Sequence, residues 1–218
     1  MYLVYLTLFV IASYLYGSIN YAIILFRVLK KSDIRKLDSK RAGTANIGRN
    51  LGKGWGALVF FLDISKGLLP LILAKIFVFT DFNYADYLAL FAISIAAIVG
   101  HCRPLFFNFK GGGGIVTAIG IFMFFIPVEF FTSMLIGFII SQIFFRNMKY
   151  SIGQITPIIF VSLTPFLTLV VSFMLNIKIS GNLSIGGYPW FIILGVFALT
   201  FVILLMNLHL FKGRLKEF

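Results

Sequence analysis

Four consecutive glycines are the clearest chemical feature of this sequence, because they follow a lysine and lead directly into an apolar segment. Glycine has no Cβ, so the amides of such a turn can point into one concavity, and the N-terminus of a following helix adds partial positive charge. The pattern predicts a phosphate cradle formed by Lys110 and the glycines Gly111, Gly112, Gly113 and Gly114, which lead to Thr117 at the start of the following helix. The turn lacks the Lys-Ser/Thr pair of a P-loop, so it does not indicate nucleotide hydrolysis. The alternative is a flexible hinge beside a helix cap.

A second anion-binding segment is predicted in the long loop after the first apolar segment. This loop carries nine basic residues: Arg27, Lys30, Lys31, Arg35, Lys36, Lys40, Arg41, Arg49 and Lys53. Glycines interleaved with amide, hydroxyl and guanidinium groups let donors converge on an oxyanion such as phosphate. The residues expected at this site are Asp33, Arg35, Ser39, Asn46 and Arg49. The alternative is a solvated loop that only holds anionic lipid headgroups.

His101 precedes the glycine-rich turn and is a candidate general base, because the pKa of an unperturbed imidazole lies near neutrality. A lone histidine at a membrane interface is more often a hydrogen-bonded anchor, so both roles stay open. Asp63 and Lys66 are three residues apart in an apolar run, where they can face the same way and neutralise each other. Ionisable groups at such a depth face the protein interior or a water-filled cavity, either as a structural pair or as part of a site.

Two further polar residues stand near the ends of predicted helices. Ser151 comes at a helix start, where capping the helix is the default role. Asn207 lies near the end of the last apolar segment, where its amide can cap neighbouring backbone or reach into a site.

Membrane helices must position these loops, because the sequence is 60% hydrophobic and only 12% charged, unlike a soluble domain. Apolar runs of about 20 residues, each able to cross a bilayer, recur along the chain. We predict an all-α polytopic membrane protein with about seven transmembrane helices in a single domain over residues 1–218, the third to fifth helices being short. The predicted segments are Tyr2 to Phe26, Gly54 to Phe79, Asp86 to Gly100, Ile115 to Pro127, Glu129 to Phe145, Ile152 to Asn176 and Pro189 to Phe211.

The distribution of charge predicts the orientation and limits the partners. Most of the 19 Lys and Arg residues fall in the loops after odd-numbered segments, which places the N-terminus outside and the C-terminus in the cytoplasm. These residues therefore report membrane topology, and no nucleic acid partner is expected. One cysteine, Cys102, and two histidines in different segments form no metal-binding pattern, so no metal or other cofactor is expected.

These motifs together resemble the acyl-phosphate-dependent glycerol-3-phosphate acyltransferases of bacterial membranes, the PlsY family, over nearly the whole chain. The matching residues lie in the first two helices and the two loops: Gly17-Ser18-Ile19, Asp33-Ile34-Arg35, Ser39, Gly43, Asn46, Arg49, Gly52, Asp63-x-x-Lys66-Gly67, Gly100-His101-x-x-Pro104 and Phe109-Lys110-Gly111-Gly112-x-Gly114. Tyr150-Ser151 approximates a further family motif.

The resemblance implies a multi-pass enzyme of the bacterial plasma membrane, surrounded by membrane lipids. Its substrates would be acyl phosphate and glycerol 3-phosphate, and its products lysophosphatidate and phosphate, with no metal or covalent intermediate. Ser39, Arg49, His101 and Asn207 would be catalytic. The substrate-binding residues would be Asp33, Arg35, Asn46, Lys110, Gly111, Gly112, Gly114, Thr117 and Ser151.

The chain departs from the family pattern at positions that would lie in the site. Arg41 stands where the family has asparagine, Gly113 replaces a lysine, Leu204 a histidine and Leu210 an arginine, while the family's Gly-Ser-Gly stretch reads Asp38-Ser39-Lys40. Because each lost polar group can remove transition-state stabilisation, one alternative is a catalytically impaired relative that binds a lipid headgroup or a membrane partner. Lys40 or Arg41 is a candidate to supply the charge that Gly113 lacks. A transporter is a third interpretation, with a polar path lined by Asp63, Lys66, Lys75 and Glu129.

Overall fold

Helices form all the regular structure in the computed structural model, which describes residues 1–79, 83–147, 155–178 and 189–214. Within these ranges no strand occurs. The α-helices are α1 (Tyr2–Ser18), α2 (Tyr21–Lys30), α3 (Thr44–Leu51), α4 (Lys53–Phe77), α5 (Tyr84–Cys102), α6 (Ile115–Phe125), α7 (Pro127–Phe144), α8 (Thr156–Lys178) and α9 (Trp190–Arg214). Short 3-10 helices lie at Ile34–Lys36 and Leu105–Phe107.

In the described parts of the chain, six helical segments are long and apolar enough to cross a bilayer: Tyr2–Lys30, Lys53–Phe77, Tyr84–Phe107, Pro127–Phe144, Thr156–Met174 and Trp190–Leu208. The predicted all-α, multi-pass membrane architecture is therefore confirmed. The helix α6 is apolar but shorter, so a seventh crossing and the predicted orientation of the termini stay predictions.

The third predicted segment is longer than the sequence suggested. The helix α5 has 19 residues, so the prediction that it is short was wrong, whereas α7 has 18 residues and lies near the minimum length for a crossing, as predicted. For α5 the reason is local, because the side chain of Asn83 caps the helix by accepting the N–H of Asp86 at 3.0 Å. The helix therefore begins at Tyr84, before Asp86, where the predicted segment began.

The first apolar segment is interrupted near its middle, although it was predicted as one helix. Ile19 and Asn20 have extended backbone, and the Asn20 side chain accepts the N–H of Ile23 at 3.1 Å, which caps α2. The helix α2 then buries Ile23 and Phe26 in an apolar cluster completed by residues of the first basic loop, α3 and α4: Ile34, Ala42, Ile47 and Val59. This cluster anchors the first basic loop to the membrane helices.

The helices α1 and α5 pack backbone to backbone. A Cβ on Gly17 would lie 2.5 Å from the carbonyl oxygen of Ala97, and one on Gly100 would lie 2.3 Å from that of Tyr14. The Ser13 hydroxyl also donates to the Ile93 carbonyl at 2.9 Å. Small residues permit such close approach between membrane helices. The pair places the end of α5, and with it His101, beside the end of α1.

The chain forms two compact units, Met1–Phe124 with Leu205–Phe218, and Phe125–Leu204. In the second unit α7 packs on α8 through buried hydroxyls: Ser133 and Thr164 lie 2.8 Å apart, and Thr156 donates to Ser141 at 2.6 Å. Interhelical hydrogen bonds of this kind satisfy polar groups inside membrane bundles. The predicted site residues that the structure describes all lie in the first unit, and the single-domain interpretation stays a prediction.

Candidate functional site

Asn46 shapes the first basic loop from inside. It lies on α3, is 2% exposed, and its Nδ2 donates to the carbonyls of Ile34 at 3.1 Å, Leu37 at 3.2 Å and Arg41 at 2.8 Å. A single buried amide therefore draws the loop into a closed turn over α3. These bonds give Asn46 a structural role. Its predicted contact with substrate stays a prediction.

Ser39 is half-buried in a turn whose neighbours both have left-handed backbone, with φ of 48° at Asp38 and 54° at Lys40. Each such residue costs about 1–2 kcal/mol unless it is glycine, which explains why the resembled family has glycine at both positions. Asp38 helps to hold the turn, because its carboxylate pairs with the guanidinium of Arg49 on α3. Ser39 and Arg49 are thus brought to the same turn.

Arg35 joins the two basic loops. Its guanidinium donates to both carboxylate oxygens of Asp33, at 2.9 and 2.6 Å, and also to the carbonyls of Phe107 at 3.1 Å and Lys110 at 2.7 Å. The side-chain hydrogen bonds from Arg35 hold the pKa of the Asp33 carboxyl well below its usual range. These two residues, predicted to bind substrate, act in the structure as a clamp on the second loop.

Replacing Arg35 with lysine should lower the free energy of unfolding by about 2 kcal/mol, because one ammonium cannot bridge the carboxylate and both carbonyls. The measurement is unfolding in mixed micelles. A lowered folded pKa means that the Asp33 contribution is present above the unfolded carboxyl pKa and is lost only as pH falls through the lower folded value. The difference between the proteins should therefore be the same at pH 8 and pH 5. A difference that shrinks over this interval would contradict the clamp.

The glycine-rich turn closes directly over His101. A Cβ on Gly112 would lie 2.1 Å from Nε2 of His101 and 2.6 Å from the carbonyl oxygen of Ala42 in the first loop. The N–H groups of Gly111 and Gly112 donate to the carbonyls of Cys102 and His101, each at 3.1 Å. These two amides therefore hold the turn to α5. The predicted role of Gly111 and Gly112 in binding a phosphate stays a prediction.

His101 of α5 contacts a buried ion pair formed by Asp63 and Lys66 of α4. Nζ of Lys66 lies 2.6 Å from Oδ1 of Asp63, which confirms the predicted neutralising pair, and Nδ1 of His101 lies 3.4 Å from Nζ and 3.6 Å from the same oxygen. The ring of Tyr21 faces the Lys66 ammonium at 4.7 Å. His101 is only 3% exposed. Its Nδ1 faces the ion pair and its Nε2 faces Gly112, so the imidazole lies between the pair and the glycine-rich turn.

Asn207 brings the last helix to the glycine-rich turn. Its Nδ2 donates to the carbonyl of Gly113 at 2.8 Å, and its Oδ1 accepts from Nη1 of Arg41 at 3.0 Å. The side chain is 1% exposed. The amide of Asn207 thus binds backbone of the glycine-rich turn, one of the two roles left open for it, and its predicted catalytic role stays a prediction. Its side-chain partner, Arg41, departs from the family pattern.

Arg41, Asn207 and the glycine-rich turn form a junction between the two basic loops. The remaining predicted residues have different surroundings. Lys110 is exposed and contributes its carbonyl to the Arg35 clamp. Gly114 has φ of 74° and packs against Cys102, so a side chain is excluded there. Thr117 is fully buried on α6, and among the described residues its hydroxyl has no hydrogen-bond partner. Ser151 lies outside the described residues.

The predicted site residues did not include the Asp63–Lys66 pair or Arg41. Asp63 and Lys66 were recognised as a pair, but their spacing on one helix gives no sign that His101 of another helix joins them. Arg41 was named only as one candidate to supply a missing charge, because nothing in its own segment shows where its side chain goes. A signal for Arg41 does exist: it departs from the family pattern together with Gly113.

The arrangement is suited to binding anions at a membrane surface. Arg41 lies against a glycine-rich turn that is packed on a buried histidine. Lys110 immediately precedes this turn, and Arg49 is held in the first loop by Asp38. In the described ranges no group of three His, Cys, Asp or Glu residues is placed to hold a metal ion. Cations of this kind neutralise phosphate groups and stabilise charge that develops during acyl transfer.

Comparisons with known proteins point to one family. A family model described as glycerol-3-phosphate acyltransferase matches residues 7–213. A glycerol-3-phosphate acyltransferase of Mycoplasma mobile is 38% identical over 71% of this chain and 63% of its own length. One of Legionella pneumophila strain Philadelphia 1 is 36% identical over 77% of this chain and 56% of its own length. The chain thus spans less than two thirds of the length of these curated relatives.

Solved structures give the same result for the fold. A crystal structure of PlsY, an integral membrane glycerol 3-phosphate acyltransferase, in its lysophosphatidic acid form is 27% identical, with a TM-score of 0.67. The glycerol 3-phosphate form of PlsY is 28% identical, with a TM-score of 0.65. Each comparison covers 97% of this chain and 92% of the solved chain.

Proposed function

This chain belongs to the glycerol-3-phosphate acyltransferase family, and we propose that it transfers a fatty acyl group from acyl phosphate to glycerol 3-phosphate. The primary hydroxyl of the acceptor attacks the acyl carbonyl carbon. A new ester bond forms, the bond between the acyl carbon and the phosphate oxygen breaks, and the hydroxyl proton is released with the phosphate. The products are lysophosphatidate and inorganic phosphate.

The observation that carries this proposal is the joining of the two basic loops at one place. Arg35 holds the second loop by its carbonyls, Ala42 contacts Gly112, and Arg41 reaches Gly113 through Asn207. Both substrates carry a phosphate group, so the reaction needs a surface where several cations lie close together beside the lipid. The junction supplies cations from both loops.

We assign the charged groups to phosphate and the buried groups to support. Arg49 and Lys110 neutralise substrate phosphates, and Ser39 lies in the turn beside Arg49. His101 is buried, with Nε2 against Gly112, so this geometry favours a positioning role under the turn. The predicted role of His101 as a general base stays a prediction, and a pH profile of kcat distinguishes the two roles.

The proposed activity predicts that purified protein, given acyl phosphate and labelled glycerol 3-phosphate, forms labelled lysophosphatidate and releases an equal amount of phosphate. Arg49→Gln should reduce kcat/KM at least ~100-fold, because a charged donor to the reacting groups is lost. Lys36→Gln, which removes an exposed cation from the same loop, is the matched control and should stay close to the unchanged protein.

The proposal would be contradicted if the unchanged protein turned over no faster than Arg49→Gln. If glycerol 3-phosphate still bound without turnover, the catalytically impaired relative would be the better description. We further propose the bacterial plasma membrane as the location, with membrane lipids around the bundle. The six apolar spans found in the described ranges and the basic residues in the loops support this setting.

A further inference from the structure

A side chain at Gly113 would have to displace two other side chains from the space beside it. A Cβ on Gly113 would lie 2.9 Å from Oδ1 of Asn207 and 3.0 Å from Nη1 of Arg41. Real Cβ atoms avoid such short contacts, so the amide of Asn207 and the guanidinium of Arg41 would both have to shift. The guanidinium of Arg41 therefore lies beside the position at which a side chain of residue 113 would begin.

The contacts of Arg41 fix the direction in which its charge points. Asn207 accepts one guanidinium N–H at 3.0 Å and donates to the Gly113 carbonyl at 2.8 Å, so the arginine is held to the turn through a buried amide. Arginine remains charged at any physiological pH, and its planar fork suits the oxygens of a phosphate. The side chain of Arg41 is only partly buried. A cation from the first loop is thus delivered to the glycine-rich turn.

We propose that Arg41 is the phosphate-binding cation of the glycine-rich turn and that residues 41 and 113 are coupled, so that only one of them can carry a long cationic side chain. This inference rests on the proposed acyl transfer for its ligand, which is a terminal phosphate group with a single organic substituent. The chemistry is shared by the acyl phosphate donor and the glycerol 3-phosphate acceptor. The coupling itself rests on the geometry alone.

The test moves the charge from one loop to the other. Four variants are compared with the unchanged protein: Arg41→Asn, Gly113→Lys, the double variant Arg41→Asn/Gly113→Lys, and Lys40→Asn. The last removes the neighbouring exposed cation and is the matched control, because asparagine tolerates the left-handed backbone of Lys40. KM is measured for each substrate separately, and the substrate whose KM rises is the one that Arg41 binds.

We expect Arg41→Asn to raise one KM by about 10–100-fold, as for a lost hydrogen bond to a charged group. Gly113→Lys should lose activity or stability, because its Cβ displaces the ends of the Arg41 and Asn207 side chains and brings a second cation beside Arg41. The double variant should recover folding and most of the activity, and Lys40→Asn should resemble the unchanged protein. Recovery of folding by the second substitution supports the coupling even where the single variant is too unstable to assay.

Two results would overturn the inference: equal KM values for Arg41→Asn and Lys40→Asn, or a double variant no better than the worse single one. Binding of glycerol 3-phosphate and of inorganic phosphate, measured by calorimetry, separates this failure from failure of the proposed function. If the unchanged protein has no turnover, weaker anion binding by Arg41→Asn and its recovery in the double variant still support the inference. Unaltered anion binding in Arg41→Asn overturns it.

Discussion

Replacing Lys66 with methionine should lower the free energy of unfolding by about 3–5 kcal/mol, the range found when one member of a buried ion pair is removed. Lys66 is fully buried and its ammonium lies 2.6 Å from the Asp63 carboxylate, so the substitution leaves that carboxylate without its closest cation. His101, the next ionisable group, lies 3.6 Å from the same oxygen. Activity should fall with stability, because His101 supports the glycine-rich turn. Unfolding in mixed micelles and the acyl-transfer assay measure the two effects.

Two further variants make the Lys66 result interpretable. Lys75→Met removes an exposed lysine from the same helix, where the ammonium faces the ring of Phe124 at 5.9 Å, and should cost less than about 1 kcal/mol. Asp63→Leu combined with Lys66→Met removes both charges and should regain most of the stability, since apolar replacements of whole buried pairs are often neutral. If Lys66→Met and Lys75→Met lowered the free energy of unfolding equally, Lys66 would not be needed to neutralise Asp63.

Gly112→Ala should abolish measurable acyl transfer, with a loss of at least ~100-fold, because displacement of the turn by about 1 Å is enough for such an effect. The new methyl carbon would lie 2.1 Å from the His101 imidazole and 2.6 Å from the Ala42 carbonyl, so the turn must move away from both α5 and the first loop. Overall folding should survive, since the helices beneath are unchanged. Turnover and thermal unfolding in detergent distinguish the two effects.

Gly54→Ala is the matched control for this substitution. Gly54 lies in the first turns of α4, and a Cβ there meets nothing within 4 Å. Alanine should therefore leave activity unchanged and stabilise the helix by up to about 1 kcal/mol. If Gly112→Ala were as active as Gly54→Ala, the close packing of the turn on His101 would have no catalytic importance.

The membrane helices could be predicted from the sequence because hydrocarbon imposes a length and a composition on each span. What the apolar runs did not indicate is local. The break at Asn20 is caused by one side-chain cap inside an apolar run, and α3 is a helix within a polar, basic segment that has no membrane signal. The start of α5 before Asp86 is again set by a cap. Such contacts depend on single side chains that hydropathy averages away.

The candidate site was predictable in its location and not in its internal connections. The sequence indicated that two basic, glycine-rich loops carry the chemistry, and the structure places them in contact through Arg35. The sequence could not show that the amides of Gly111 and Gly112 are used inside the turn, because that depends on the carbonyls at the end of α5. Nor could it show that Arg41 lies beside Gly113, which requires α9 to bring Asn207 alongside.

The backbone contact between α1 and α5 also determines how the protein meets bilayers of different thickness. Gly100, whose Cα faces α1 directly, immediately precedes His101 in the chain. Membrane helices respond to a thinner or thicker bilayer by tilting. Two helices that touch through their backbones share one tilt, so the imidazole keeps its height relative to α1 when the lipid composition changes. Any change of tilt therefore moves His101 and the end of α1 together.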